Sequence, residues 1–227
     1  MDAVQIKALF ARDGYVRLPA IISEREIGAT VSALDEMSLG VGSRNLLVNA
    51  WCGELARRIS RNPMVADLLP RDAVAIQCTY FDKNDKQNWL VAQHQDLAIP
   101  VAGKVGHPAL KAWSVKEDQC YVQAPQALLE QIAAIRLHLD ENDETNGPLR
   151  LVPGSHRHGR LSAAQAANLR AELGEVMCVA DAGDCLLMRP LILHASSKAS
   201  SARRRRVLHF VYAPISPGYG LGWQYAI

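Results

Sequence analysis

The sequence is poor in the features that mark exported, membrane-bound or strongly charged proteins. No stretch reaches the ~18 uninterrupted apolar residues that a membrane-spanning helix requires, so no membrane association is expected. The opening residues, MDAVQIKALFARDGYVRLPA, lack the basic start and continuous apolar core of a secretory signal. There is no CxxC pair: the five cysteines, Cys52, Cys78, Cys120, Cys178 and Cys185, are scattered and odd in number. That pattern argues against a zinc site and for reduced thiols in the core of a cytoplasmic protein. The net charge is only +2, which gives no global pull toward nucleic acid or an anionic membrane. No internal repeat or low-complexity segment interrupts the chain.

What is present is enough for one substantial core. With 227 residues, 49% of them hydrophobic, a single domain spanning 1–227 is the natural reading. Residues 3–12 read as a helix ended by Asp13-Gly14, and Tyr15 to Leu18 as a short strand. Ser23 with Glu26 has the form of a capping box that opens a helix to about Met37. Further short helices are expected at 52–60, 63–69, 125–132 and 162–172. After Pro70 the segments AVAIQCTYF, QNWLVAQHQ, AAIRLHLD, LRLVP, DCLLM and RVLHFVY are short, rich in β-branched and aromatic residues, and separated by turn-forming clusters. The pattern predicts a mainly β fold, an antiparallel double sheet with flanking helices on one face.

The sharpest local feature is His94-Gln95-Asp96. At a strand end, residues two apart share a face, so an imidazole and a carboxylate point to one place. Of the other histidines, His194 fits best as the third ligand, because it ends an apolar run that follows the turn at Gly183-Asp184. Two histidines and one carboxylate on one face of an octahedral ion leave positions open, which is the geometry of non-haem iron(II) oxygenases. His156 and His158 form an HxH pair without an obvious third ligand and are expected to be structural. His107 is expected in a solvated loop.

DGYVRLPAIIS, AQHQD, NGPLRLVPGSHRHG (146–159), GDCLLMRPLILHASS and RRRVLHFVY, in that order, resemble the successive motifs of the phytanoyl-CoA dioxygenase family. The resemblance runs from about Asp13 to Tyr212, and the Gly- and Pro-rich stretch at 146–159 is its most specific part. It implies a double-stranded β-helix (a jelly-roll, cupin-like core) over about 71–213, following a helical part over about 1–70. It also implies Fe(II) held by His94, Asp96 and His194, with 2-oxoglutarate and O2 as cosubstrates. The expected reaction is oxidative decarboxylation of 2-oxoglutarate coupled to C–H oxidation, usually hydroxylation. Related halogenases have a small apolar residue in place of Asp96, so halogenation is disfavoured.

The distal carboxylate of 2-oxoglutarate needs a fixed cation, and a guanidinium offers a bidentate, permanently charged partner. The resemblance favours Arg205, eleven residues after His194, with Ser196, two residues after His194, as a partner of the same carboxylate; Gln77 and Thr79, on an earlier strand of alternating character, are further candidates. Alternation puts Arg205, Val207, His209 and Val211 on one face and Arg206, Leu208, Phe210 and Tyr212 on the other. Both faces carry apolar residues, so Arg206 stays a rival. On the substrate side, Arg136 and His138 alternate along AAIRLHLD and either meet a polar or anionic substrate or form buried pairs with Asp140 or Glu141. Residues 97–128, with Trp113 and Lys116, form either a lid or an ordinary strand pair. Trp89 and Trp113 either wall the pocket or belong to the core. The expected partner is a small polar metabolite, not a nucleic acid, and the runner-up reading is a cupin-like metal-binding isomerase or sensor.

Overall fold

A computed structural model describes residues 1–37, 39 and 42–227. Its elements in chain order are α1 (Ala3–Asp13), β1 (Tyr15–Leu18), α2 (Glu24–Asp35), α3 (Ala50–Arg61), α4 (Pro63–Ala66), β2 (Ala73–Lys83), β3 (Val91–His94), β4 (Ala98–Val101), β5 (Lys111–Lys116) and β6 (Gln119–Gln123). Then follow α5 (Gln126–Leu129), β7 (Ala133–His138), β8 (Leu149–Leu151), α6 (Ala163–Leu173), β9 (Val176–Cys178), β10 (Cys185–Met188), β11 (His194–Ser196) and β12 (Arg205–Pro214).

The helix boundaries have local causes. Asp2 and Gln5 form a capping box at the start of α1, and Gly14, at φ 80°, ends it by returning its N–H to the Phe10 carbonyl. The Ser23–Glu26 box opens α2 as expected, and Asn62 caps α4 ahead of Pro63.

The strands form three antiparallel sheets. The largest has the order β1-β10-β7-β12-β2, the second β3-β11-β8-β9, and the third β4-β6-β5. One face of the largest sheet is covered by the helices: Phe10, Leu34, Leu55 and Ile59 pack in one cluster with Leu137, Leu187, Leu208, Phe210 and Tyr212. The Tyr212 hydroxyl donates to the Ala56 carbonyl at 2.8 Å, fastening α3 to β12. The other face meets the second sheet through Ala134, Leu186 and Met188 on one side and Leu149, Leu151 and Cys178 on the other. Because both faces of this sheet are covered, all six residues of β7 are buried. This is a double-stranded β-helix with helices on one side, and the functional side chains lie between its sheets.

Alternation along β12 resolves the two-faced ambiguity of its sequence. Leu208, Phe210 and Tyr212 pack against the helices, so Arg205, Val207 and His209 face the interior. Arg206 turns outward to a bidentate pair with Asp140, at 2.9 and 2.7 Å. Arg204 pairs with Asp82 and Arg203 with Glu141 and Asp143. The arginine run is therefore three ion-paired arginines and one inward guanidinium, not a basic patch. Asp140 is taken by Arg206 and Glu141 by Arg203, so neither neutralises Arg136 or His138.

The stretch 97–128 is the three-stranded sheet itself, packed through Ile99, Val101, Val122 and Leu128 into a second apolar cluster. It is an ordered wall with a hairpin at its edge. Among the described residues, no helix is long and apolar enough to cross a membrane.

Candidate metal centre and cosubstrate pocket

The metal-ligating atoms of His94, Asp96 and His194 all lie within 4.8 Å of one another, a group able to hold a metal ion. The sheet register produces this convergence, because His94 and His194 are direct cross-strand partners in the β3·β11 ladder. Their rings lie 4.1 Å apart, centroid to centroid. Asp96 falls beyond the end of β3, in the link to β4, and not on the strand that alternation presumed. Its N–H bonds the Pro190 carbonyl at 2.9 Å, and its carboxylate comes 3.5 Å from His94 Nε2 and 3.7 Å from His194 Nε2.

Both imidazoles are oriented for ligation. His94 Nδ1 lies 2.9 Å from the Ala92 carbonyl and His194 Nδ1 2.9 Å from the Ile192 carbonyl. A carbonyl only accepts, so each Nδ1 carries the proton and each Nε2 presents its lone pair to the shared space. Burial pushes the His194 pKa down to about 4, so its imidazole is neutral. Burial also acts on Asp96, but the surrounding histidines outweigh it and hold the carboxyl well below the usual carboxylate range.

Gln95 turns away from its neighbours and explains the middle residue of the motif. Its amide donates to the carbonyls of Gly159 and Leu191, each at 2.7 Å, and accepts from the Leu161 N–H at 2.9 Å. The Gly- and Pro-rich stretch thus braces the site at several points. Ser155 Oγ accepts from the Leu193 N–H, next to His194, and the Gly159 carbonyl holds Gln95. Gln95→Ala is expected to lower ferrous-ion affinity about 10- to 100-fold, as for other residues that orient metal ligands, with α1 and the helical face left folded. Metal titration with circular dichroism on the same sample checks it.

The triad opens onto a cavity of about 530 Å³. At one end of the site lies a cluster of buried donors around Gly147. The Arg205 guanidinium, 3% exposed, donates to the Gly147 carbonyl at 2.5 Å, and Ser196 Oγ donates to the same carbonyl at 2.9 Å. Gly147 sits at φ +72°, and a Cβ there would meet the Ser197 carbonyl oxygen at 2.6 Å, so this turn requires glycine. Lys83, the cross-strand neighbour of Arg205, is 1% exposed. Its ammonium donates to Ser196 Oγ at 3.2 Å and the Ser197 carbonyl at 2.6 Å, under the Trp89 ring at 5.3 Å. Burial lowers the pKa of Arg205 to about 10. Burial, with the charges of Arg205 and Arg136, lowers that of Lys83 to about 8.

Gln77 and Thr79 line the cavity, joined by a 2.8 Å hydrogen bond. Arg136 and Lys116 also line it. His138 and Trp113, expected at the substrate, do not. His138 is buried one step further along β7, opposite Val207, and burial drives its pKa well down. Trp113 packs into the second apolar cluster, because Ala112 at φ 51° and the accompanying register shift in β5 reset the alternation. His156 approaches the Ala11 carbonyl at 3.3 Å, a structural contact, and His158 is exposed. His107 is half-buried and packs edge-on against Tyr219 at 5.2 Å, so it is not a freely solvated loop residue.

Four side chains of this region had no role assigned from sequence: Lys83, Arg44, Tyr121 and His209. Lys83 continues the inward series Gln77, Thr79, Phe81 along β2, a period-two signal that could have found it. His209 lies on the inward face of β12, and its Nε2 is 3.9 Å from an Asp96 oxygen. Arg44 and Tyr121 reach the cavity from a loop and from the third sheet, with no local pattern to betray them.

The chain is 25% identical to L-proline trans-4-hydroxylase of Streptomyces griseoviridis over 244 aligned residues, covering 91% of this chain and 84% of that protein. Its fold is similar to that of EctD from S. alaskensis, with a TM-score of 0.71 at 21% identity, covering 96% of this chain and 79% of that one. It is similar also to the alpha ketoglutarate dependent epimerase SnoN from nogalamycin biosynthesis, solved in complex with Fe3+, alpha ketoglutarate and nogalamycin RO. There the TM-score is 0.68 at 17% identity, covering 93% and 83% of the two chains. The phytanoyl-CoA dioxygenase family model matches residues 10–207. With that match over most of its length, the chain belongs to the phytanoyl-CoA dioxygenase family, whose members are dioxygenases that use Fe(II), 2-oxoglutarate and O2.

Proposed function

We propose that this enzyme hydroxylates a C–H bond of a small polar metabolite, with His94, Asp96 and His194 as the Fe(II) ligands and Arg205 as the anchor of 2-oxoglutarate. The observation that carries the reading is the pairing of two sites in one cavity: a two-histidine, one-carboxylate group, and a buried guanidinium on the inward face of β12. When bound, the ferrous ion with 2-oxoglutarate supplies the oxidising power, one oxygen atom of O2 going to succinate and the other to the substrate. The chain's residues bind, orient and exclude. His94, His194 and the ionised Asp96 would hold the ion through their converging ligand atoms and would leave it positions for the cosubstrate and O2. Arg205, Ser196 and Lys83 give the distal carboxylate of the cosubstrate three donors in a site shielded from water, where charge-assisted bonds are strong. Gln77 and Thr79 stand on the same face of β2 as polar contacts for the cosubstrate or for water.

A cavity of about 530 Å³ falls in the usual range for small-molecule sites, which supports a metabolite over a long acyl chain. The relative named as a proline hydroxylase supports hydroxylation as the reaction. A cupin-like isomerase or sensor would have no use for a buried guanidinium without a carboxylate partner beside the metal group. The test supplies Fe(II), 2-oxoglutarate and O2 with a panel of small metabolites. The expected result is succinate formed in step with a product one oxygen atom heavier. Succinate without any oxygenated product across the panel, or a desaturated or epimerised product, would contradict the hydroxylase reading.

Lys83 adds a pH prediction. Burial holds the pKa of its ammonium down to about 8, and a bound dianion favours its protonated form. Below pH 8 Lys83 is already charged and binding needs no proton. Above pH 8 binding must take one up, so 2-oxoglutarate affinity is expected to fall by up to about tenfold per pH unit. The Lys83→Met variant should bind more weakly and lose that slope, which calorimetric titration at pH 7 to 9.5 measures.

A further inference from the structure

The charges lining the cavity do not balance. Among its described lining residues are four cations, Arg44, Lys116, Arg136 and Arg205, and one carboxylate, Asp96. Asp96 belongs to the metal group. Arg44 is committed to Glu117 at 3.1 Å, Lys116 stands exposed in the hairpin, and Arg205 belongs to the Gly147 cluster. Arg136 is left over. It is 8% exposed, it makes no ion pair or hydrogen bond among the described residues, and its Nε is sealed from solvent without a partner. Its guanidinium lies over the Phe81 ring at 5.4 Å, a contact that positions the group but carries no counter-charge. A buried guanidinium without a carboxylate is costly to keep. It lines the cavity.

Its position fits a role toward the substrate. In the sheet register Arg136 sits opposite His209 on β12, and His209 Nε2 is 3.9 Å from Asp96, so His209 links Arg136 to the metal group across the sheet. The cosubstrate's far carboxylate is served by Arg205, Ser196 and Lys83, and its keto-acid end by the metal.

Resting on the oxygenase reading above, we propose that Arg136 is the anchor for an anionic group of the substrate, and that the substrate is an organic acid and not a zwitterionic amino acid. A carboxylate meets a planar, bidentate guanidinium at Arg136. An ammonium group finds no negative charge among the described lining residues apart from the metal's own Asp96, and it meets the unpaired charge of Arg136. Phe81, stacked on Arg136, and Ile99 and Val211 in the same wall supply apolar contact for the carbon skeleton of such an acid. The substrate class is thus a small carboxylic acid, or another small anion of similar shape, with an apolar body.

The test uses the anaerobic protein loaded with Fe(II) and 2-oxoglutarate. Hexanoate, benzoate and cyclohexanecarboxylate are titrated against hexanamide, benzamide and cyclohexanecarboxamide, with L-proline and L-leucine as zwitterions. Binding is read from the change in the iron-to-cosubstrate charge-transfer band. At least one acid is expected to bind tenfold or more tightly than its amide and than either amino acid. Arg136→Met should erase that preference, Arg136→Lys should keep part of it, and neither should raise the Kd of 2-oxoglutarate more than about threefold. If Arg136→Met weakens 2-oxoglutarate as steeply as Arg205→Met does, Arg136 serves the cosubstrate and the proposal fails while the oxygenase reading stands. Acids that bind no better than amides or zwitterions, or do not bind, also overturn it. Absence of any charge-transfer band in the unsubstituted protein overturns the oxygenase reading and this proposal together.

Discussion

His194→Ala is expected to abolish coupled turnover, with bound ferrous ion falling from about one per chain to a small fraction and 2-oxoglutarate consumption falling by more than about 100-fold. The magnitude follows from comparison. Losing a residue that only orients a metal ligand costs about 10- to 100-fold, and losing one of three protein ligands exceeds that. His94 and Asp96 would remain, but two ligands from one short segment do not define the face of an octahedral ion. The variant should stay folded. His194 is a neutral side chain at a cavity wall, with its pKa near 4, and β11 is held by backbone pairing to β3 and β8. Metal analysis after anaerobic loading, with thermal melting as the control, decides it. Full iron occupancy in the variant would remove His194 from the ligand set.

Arg205→Met is expected to raise the Kd of 2-oxoglutarate about 30- to 3,000-fold without lowering stability. Removing one partner of a buried, hydrogen-bonded charge pair costs about 2–5 kcal/mol, and each 1.4 kcal/mol is a factor of ten. Stability should go the other way. Arg205 is buried, and its only described hydrogen bond is to the Gly147 carbonyl, with no carboxylate against it. Replacing an uncompensated buried charge with an apolar side chain of similar length is neutral or favourable. The contrast is Arg206→Met. It breaks a half-buried pair with Asp140, should cost some stability, and should leave cosubstrate affinity within about threefold. If the two variants exchange these phenotypes, the face assignment of β12 is wrong. Weaker cosubstrate binding at unchanged iron occupancy would also separate the Arg205 role from the metal role.

These predictions rest on features that were unequally visible in the sequence. The pairing of His94 with Asp96 could be read because it is local: an imidazole and a carboxylate bracket a glutamine whose side chain turns the other way. The distant His194 could be reached only because a turn and an apolar run end on it, and its role depends on the β3·β11 register, which no local pattern encodes. The helix starts at Asp2 and Ser23 were legible because capping is chemistry within four residues. The choice of Arg205 over Arg206 was not, since Val207 and Leu208 are both apolar and both buried. What decided it was the helical layer that covers Leu208 and the acid at position 140 that draws Arg206 outward. The substrate side was the least legible. A positive φ at Ala112 and the register shift beside it turn the half-buried Trp113 against the second apolar cluster, and His138 ends β7 two residues past the cavity-lining Arg136. Lys83 carries no local signal of its burial: a lysine at the end of a strand ordinarily faces water, and here it is 1% exposed.

The central claim is that three side chains gather a single ferrous ion and leave it positions that 2-oxoglutarate can occupy. Its most direct measurement is the visible spectrum of the anaerobic protein with Fe(II) and 2-oxoglutarate added in turn. The expected result is a weak metal-to-ligand charge-transfer band that appears only when both are present, saturates at one of each per chain, and is absent in His94→Ala and His194→Ala. A band of equal strength in either variant, or no band in the unsubstituted protein, would contradict it.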